Sequence, residues 1–518
     1  YGVQLGHILK GLDSWRQSAD FFFNVILSLD NVPDEDYDDP FLGVPNYDAP
    51  PNLVSRKDGI KLFVLIALVT AMKAHWVARK DIVSAGFYII GVVIESITDE
   101  RSRQMARQRL NDLGIVDFSF QTLEKFGEDV DVGTQVGRII SEVVLPGSET
   151  ETLAGDNGNF SLLASMLNRH PNQEDLAECV LGGLVALTHN SSANLFRARE
   201  CGVIDVAWRL LCDDNFDCDV PDVCGDFLLN AFGTRENRFA FCTAKHFSML
   251  QGALKIHHHH DTCSELIRRL LQIQLLLVQD SQRFLNRESR VESSLLITNT
   301  MCRFSSHVGV TFYGCTLLAN MVIYFHESQS QQQETICRRL LDVWEAQSDH
   351  PDIVHIAALA VATSSLDNSF PKSLDQRLAR NILRGLSDHS TSDHTVGRIC
   401  YVISAAMNRE STLVLLQKGA VEILCKILQH NRNLEVLPAL TALCESPNLN
   451  FSVYTEIHRL KNSKQGQLVE TESSAKVLPP IHTATARAAT ARTVRDGQPL
   501  KSREIIGSNS SSPKTSTR

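Results

Sequence analysis

A polar residue, almost always histidine, recurs along most of this chain at one place in a repeating pattern. His75 and His170 stand 95 residues apart. From His170 the beat continues through Asp213, His258, His307, His350, His389 and His430, at intervals of 43, 45, 49, 43, 39 and 41. Runs of apolar residues three and four apart lead into these positions, the spacing of a helix with one buried face. A period of about 40–47 residues built from short helices marks a helical array, in which no unit buries its apolar face alone. The step from His75 to His170 covers two periods, so the pattern occupies roughly residues 55–460.

One unit is legible in detail between Glu410 and Ser446. Leu413, Leu415 and Leu416 form a short apolar helix that stops at Gly419, because glycine takes the left-handed conformation that ends many helices. Val421, Leu424, Ile427 and Leu428 make a second helix that breaks at His430-Asn431-Arg432-Asn433, with Asn433 placed to cap the next one. Leu434, Leu437, Leu440 and Leu443 then form a stripe beside the small Ala439 and Ala442. Pro438 constrains this third helix. Proline is tolerated in a first turn and costs ~3 kcal/mol deeper inside, so the helix either starts late or bends.

This stretch resembles an armadillo repeat: a short first helix, the turn Gly419-Ala420-Val421, an apolar second helix, and a third carrying Ala439-Leu440-Thr441-Ala442-Leu443. The turn recurs as Gly202-Val203-Ile204. HEAT units share the period. The resemblance implies an all-α, right-handed solenoid of about nine repeats. It also implies that third helices line a groove, where many family members use asparagine to clamp an extended peptide backbone. Asn230 and Asn320 stand where that asparagine falls, whereas Asn190 is displaced and Ala405-Ala406 occupies another such place. Packing or capping is the competing role for both, since a small amide near a helix end satisfies backbone groups. The Trp-x-x-x-Asn ladder of nuclear import receptors is missing, Trp208 leading to Cys212 and Trp344 to Ser348.

Two stretches interrupt the beat. Arg103 to Gly155 contains six glycines and a proline and ends in the polar SETETLAGDNGN, which predicts an irregular repeat and a loop. Val278 to Ser294 is unusually polar and predicts a connecting helix or inserted turn. Residues 1–54 read as an amphipathic helix followed by a linker, in which Asp34, Glu35, Asp36, Asp38 and Asp39 crowd among prolines. That run lacks the spaced order and closing glutamate of a calcium loop. Beyond Lys461, segments such as ATARAATARTVRDG and SNSSSPKTSTR cannot bury a core, so residues 461–518 read as a disordered tail.

The net charge of −10 is unevenly placed. From Lys461 onward ten Lys/Arg face four Asp/Glu, so the tail carries +6 and residues 1–460 carry −16. An acidic body disfavours nucleic acid, whose phosphates need clustered Lys/Arg, and favours a basic protein segment steered by charge. Asp213, Asp214, Asp217, Asp219 and Asp222 concentrate that charge. They are the candidate docking residues beside Asn230 and Asn320, with a solvated loop as the plainer reading. The most apolar run, Leu62 to Met72, is shorter than the ~20 residues a membrane span needs.

Little chemistry is visible. His257-His258-His259-His260 invites a metal, but without a cysteine or carboxylate at fixed spacing it reads as an exposed turn. The thirteen cysteines show no paired spacing and read as buried free thiols of a reducing compartment, cytoplasm or nucleus. Aspartates around Cys212, Cys218 and Cys224 raise thiol pKa and weaken a nucleophile. The phosphate-binding, dinucleotide, zinc-protease and serine-hydrolase motifs are missing. The expected function is therefore a non-enzymatic scaffold or adaptor, with no catalytic residue, cofactor or metal and with a basic or extended protein partner. Two alternatives stand beside it. One is the regulatory repeat region of a longer kinase, GTPase or ubiquitin-ligase chain, suggested by a start at Tyr1; the other is a Cys/His-rich metal-binding protein. Limited proteolysis tests the division of the chain. The tail beyond residue 460 is expected to be removed while a compact core survives, and protection of Ala484 to Arg495 would contradict that expectation.

Overall fold

The computed structural model describes residues 80–444, apart from breaks at 156–157, 214, 217, 281–284, 322–329, 365–369, 407–408 and 432–435, together with several residues between 61 and 73. The expectations for the N-terminal linker, the basic tail, His75 and Asn433 lie outside the described residues. Within them the chain is helical and contains no strand, and no helix is long and apolar enough to cross a membrane.

After α1 (Lys80–Glu95), the unit is clearest in α2 (Glu100–Asp112), α3 (Ile115–Phe126) and α4 (Val130–Val143). Local chemistry sets each boundary. Asp99 caps α2 through the Ser102 amide at 2.7 Å, and Asp129 caps α4 through that of Val132 at 3.1 Å; such caps satisfy donors that a helix start leaves free. Between α2 and α3 the chain turns at Gly114, with φ +65°. The same device recurs at Gly158 before α6 (Asn159–Arg169), at Gly202 before α9 (Val203–Leu211) and at Gly419 before α21 (Ala420–Asn431). A side chain at these left-handed positions would be strained. The glycine-rich stretch 103–155 is thus a regular unit, against the expectation of an irregular one, and Gly114 marks its first turn. Part of its polar tail is helix as well: Ser148 caps α5 (Glu149–Ala154).

The array continues through α7 (Glu174–Thr188), α8 (Ser192–Glu200), α10 (Asp219–Ala231), α11 (Arg235–Phe241), α12 (Ala244–His257) and α13 (Ser264–Asp280). Next come α14 (Arg287–Arg303), α15 (Val308–Asn320), α16 (Ser330–Ala346), α17 (Pro351–Thr363), α18 (Asp375–Asp388) and α19 (Asp393–Ala406), then α20 (Arg409–Gln417), α21 and α22 (Val436–Cys444). From Arg287 to Ala406 the described residues show two α-helices per unit, with a single 3-10 turn, Lys372–Leu374, ahead of α18. Val278 to Ser294 falls on the end of α13 and the start of α14. Pro438 is the third described residue of α22, which follows the undescribed residues 432–435.

The core is a ladder. The third helices α1, α4, α7, α10, α13, α15, α17, α19 and α22 each pack on the next. In α7 the inward residues Leu176, Val180, Leu184 and Leu187 are fully buried, and in the last unit so are Leu424, Leu428, Leu440 and Leu443. Each such side chain stabilises the fold by about 1.5–3 kcal/mol relative to exposure. Small residues let adjacent rungs approach. A Cβ placed on Gly137 of α4 would lie 2.6 Å from the Cys179 carbonyl carbon of α7. In α17, residues 353–363 are buried except His355.

The histidine beat marks the corner between second and third helix. His170, His258 and His389 terminate α6, α12 and α18; Asp213 follows α9; His307 and His350 start α15 and α17; His430 lies in the last turn of α21. The expected bond to the helix's own last carbonyls occurs at His258, whose Nδ1 donates to Lys255 O at 2.8 Å. His307 instead accepts from the Val310 amide and caps the following helix. His389 donates from Nε2 to Ser348 O at 2.6 Å, in the preceding unit. The position is shared; the chemistry is not.

Two tests follow from the ladder. Gly137→Ala should destabilise the fold by about 1–3 kcal/mol despite alanine's better helix propensity, because backbone rather than a flexible side chain stands in the way. Gly252→Ala in α12, where an added Cβ meets nothing within 4 Å, should stabilise by about 0.5–1 kcal/mol; denaturant unfolding reads both. The second test is His355. Burial first, then Arg398 and His394, lowers its pKa from about 6.5 to about 4, against the favourable bond to His394 O and the attraction of Asp352. The folded chain therefore keeps it neutral where an unfolded histidine takes a proton. Its contribution is complete above pH 6.5 and is lost as pH falls toward about 4. His355→Gln should flatten the stability profile across that window; an unchanged acid limb would contradict the assignment.

Candidate partner-binding face

The third helices α7, α10 and α13 each bury one side against their neighbours and leave a narrow strip facing outward, and on these successive rungs the strips carry charge. On α1, Tyr88 is exposed, and the Arg138 guanidinium of α4 stands 5.8 Å from its ring centroid. On α7, Glu174, Asp175 and Glu178 are exposed. Partial burial raises the Glu178 carboxyl above the usual carboxylate range. Asp219 and Asp175 push it the same way, and Arg138 opposes them. On α10, Asp222 and Asp226 meet Arg269 of α13, which pairs with Asp222 and reaches Asp226 Oδ2 from Nη2 at 3.0 Å. Glu265 continues the chain of charge, 2.6 Å from Arg268 Nε and 3.0 Å from Nε2 of His307 at the start of α15.

Part of this acidity belongs to the fold. Glu174 and Asp175 lie in the first turn of α7, and Asp219 and Asp222 in that of α10, where carboxylates suit the positive end of the helix dipole. Asp226 is held by Arg269. Glu178 is different: it lies beyond the first turn, and most of its charged neighbours share its sign.

The sequence-predicted residues separate. Asn230 is half-buried in the last turn of α10, and its Nδ2 donates to Val185 O of α7 at 3.2 Å. Asn320, the last residue of α15, is buried and donates to Thr316 O at 2.8 Å. Asp213 accepts from the backbone and side-chain nitrogens of Asn215. It lines a cleft of about 530 Å³ with Trp208, Lys245 and His246, between α9 and α12. Asp213 follows α9, whereas Asn230 lies in the last turn of α10. Asp214 and Asp217 lie outside the described residues. Sequence reasoning passed over Glu178, Asp226 and Arg269, although Arg269 follows Asp226 by 43 residues, one period of the array.

The histidine run is not wholly an exposed turn. His259 and His260 are exposed, but His257 is only 3% exposed and its Nε2 has no partner. Beside it Cys218 and Cys263 are joined as a disulfide, where free thiols were expected throughout. Among the described residues the remaining cysteines are not in disulfides. Burial, more than the aspartates, weakens them as nucleophiles: it pushes Cys212 up to about 11 and Cys315 up to about 12, and raises Cys179 and Cys224 as well.

No family model matches the sequence, and no curated protein matches it. Solved structures do. One, the crystal structure of an engineered protein, is 15% identical with a TM-score of 0.60, over 85% of this chain and 100% of that one. Another comes from work on a phosphorylation switch that controls the interaction between cadherin and beta-catenin. It is 12% identical with a TM-score of 0.58, over 94% of this chain and 97% of that one. At these identities the likeness is one of fold, and it agrees with the ladder described above: the chain is an all-helical repeat protein.

Proposed function

We propose that this chain is a non-enzymatic scaffold of armadillo type, a right-handed solenoid that binds a basic, extended segment of a protein partner along the outward strip of its third helices. The observation that carries this reading is the setting of Glu178, a partly buried carboxylate crowded by Asp219 on the next rung and Asp175 on its own helix, and only partly offset by Arg138. A cationic side chain bound there would relieve that crowding. Asn230 spends one amide proton on Val185 O and keeps its carbonyl oxygen for a partner's backbone. Asp213 extends the acidic field from its cleft beside Trp208, and Asn320 braces the α15 rung. The same field disfavours nucleic acid as a ligand, and a protein-binding scaffold of the cytoplasm or nucleus fits that charge. The likeness to a fold seen in work on cadherin and beta-catenin supports a role in protein interaction.

The test uses an Arg/Lys-rich peptide, too long to be spanned by one unit, and the double variant Asp175→Lys with Glu178→Lys. The variant should bind it at least about tenfold more weakly at low salt, with a flatter salt dependence. An equal affinity in a folded variant would remove the strip as the binding face.

A further inference from the structure

The corner between the second and third helices holds three groups that belong to one another chemically. Cys218 is the residue from which α10 starts, and Cys263 ends the 3-10 turn Asp261–Cys263 that leads into α13. They are 45 residues apart, equivalent places in successive units, with Cα atoms separated by 6.0 Å. His257 closes α12 between them. The Sγ atoms of both cysteines and a ring nitrogen of His257 all lie within 4.8 Å of one another. His257 and Cys263 are buried and Cys218 is half-buried.

The ring of His257 is prepared for a ligand. Its Nε2 is buried without a hydrogen-bond partner, while the Leu211 backbone carbonyl holds the ring by a hydrogen bond. That bond therefore falls to Nδ1 and leaves Nε2 with an unshared lone pair, in a ring one nitrogen of which lies within 4.8 Å of both sulfurs. A backbone carbonyl on the far nitrogen is the usual way a ligating histidine is oriented. A disulfide between the two cysteines does nothing for Nε2, whereas a metal ion satisfies all three groups.

We propose that, with Cys218 and Cys263 reduced, their two thiolates and His257 Nε2 form a site for one zinc ion that clips consecutive repeats together. Two thiolates and an imidazole are zinc's preferred donors, at ~2.3 Å for sulfur and ~2.0–2.1 Å for nitrogen, and one ion at those distances spans the observed cluster. Reduction of the disulfide by a thiol reductant delivers two electrons and two protons and gives two thiols. Zinc then displaces both thiol protons, and water fills the fourth position. Asp219, Asp222, Asp261 and Glu265, near in sequence to the two cysteines, provide an acidic setting that favours a cation. The motif escapes sequence reading because its ligands come from two units: separations of 39 and 6 residues resemble no single-finger pattern.

The experiment uses the full chain, purified under a phosphine reductant, loaded with zinc and freed of excess by dialysis, with metal measured by mass spectrometry and cobalt as a spectroscopic stand-in. About one equivalent of zinc per chain is expected, together with thiolate-to-cobalt charge-transfer absorption. His257→Gln should weaken cobalt binding by at least roughly tenfold, and Cys218→Ser and Cys263→Ser should each abolish the charge-transfer band. Cys242→Ser, outside the cluster, should change nothing. Should a cysteine variant fail to fold, protection of Cys218 and Cys263 from alkylation by zinc in the unaltered chain decides the matter together with His257→Gln. The proposal is overturned if the reduced chain retains no zinc, if zinc leaves both thiols open to alkylation, or if His257→Gln binds cobalt as tightly as the unaltered chain.

Discussion

The structure depends on the packing of each third helix against the third helices of the units before and after it. None of these helices could hold its shape alone, since most of a short helix's stability comes from tertiary packing. Leu176, Val180 and Leu184 are buried on α7, which packs most extensively on α4 and α10 on either side. Hydrogen bonds follow the same logic. Asn230 reaches Val185, His389 reaches Ser348, and Thr395 reaches Pro351, spans of 45, 41 and 44 residues. Each ties a residue to its counterpart region one period away. In such an array stability is a sum of unit and nearest-neighbour terms, so a change at a close crossing such as Gly137 acts on two units at once.

Much of this was legible in the sequence because a repeat multiplies weak signals. One histidine at a helix end says little; a position recurring every 39 to 49 residues says where the corners of an array fall. The last unit was readable helix by helix, α20, α21 and α22 each falling on its predicted apolar stretch. The misreading of residues 103–155 has a specific cause. Gly114, Gly158 and Gly202 stand 44 residues apart, and each begins a second helix from a left-handed turn. Counted as breakers, the glycines of that stretch suggested irregularity; placed on the beat, Gly114-Ile115-Val116 matches Gly202-Val203-Ile204. Gly133 and Gly137 serve a different purpose inside α4, making room for the rung beside it.

The outward face was less legible, because which side of a helix remains outside is decided by neighbours about 44 residues away. The clustered aspartates drew attention to Asp213 through Asp222, yet Asp213 belongs to a cleft beside Trp208, and Asp219 and Asp222 lie in the first turn of α10. Glu178 looked unremarkable among the polar residues of its stretch. Its character comes from Asp219, 41 positions on, brought alongside by the stacking of α10 on α7. Asn320 shows the converse: a residue matching a family position by spacing is turned inward, its amide bonded to the preceding turn of its own helix.

The corners between second and third helices combine these lessons. The array brings one corner beside the next at every step, so any side chain there meets its equivalent from the following unit. At most corners the result is a cap or a backbone bond, as at His307 and His389. Where α10 and α13 begin, both equivalents are cysteine, and the helix between them ends in a histidine. A covalent or metal link at that place would restrain two neighbouring units without touching the ladder. It would also lie beside Asp222, Asp226 and Arg269, the ion pairs that join the same two rungs on the outward strip. Arg269 is largely covered in these pairs, at 14% side-chain exposure. Fixing the start of both helices removes conformational freedom that those side chains would otherwise have to restrain, so the corner and the strip reinforce one another across a single step of the array.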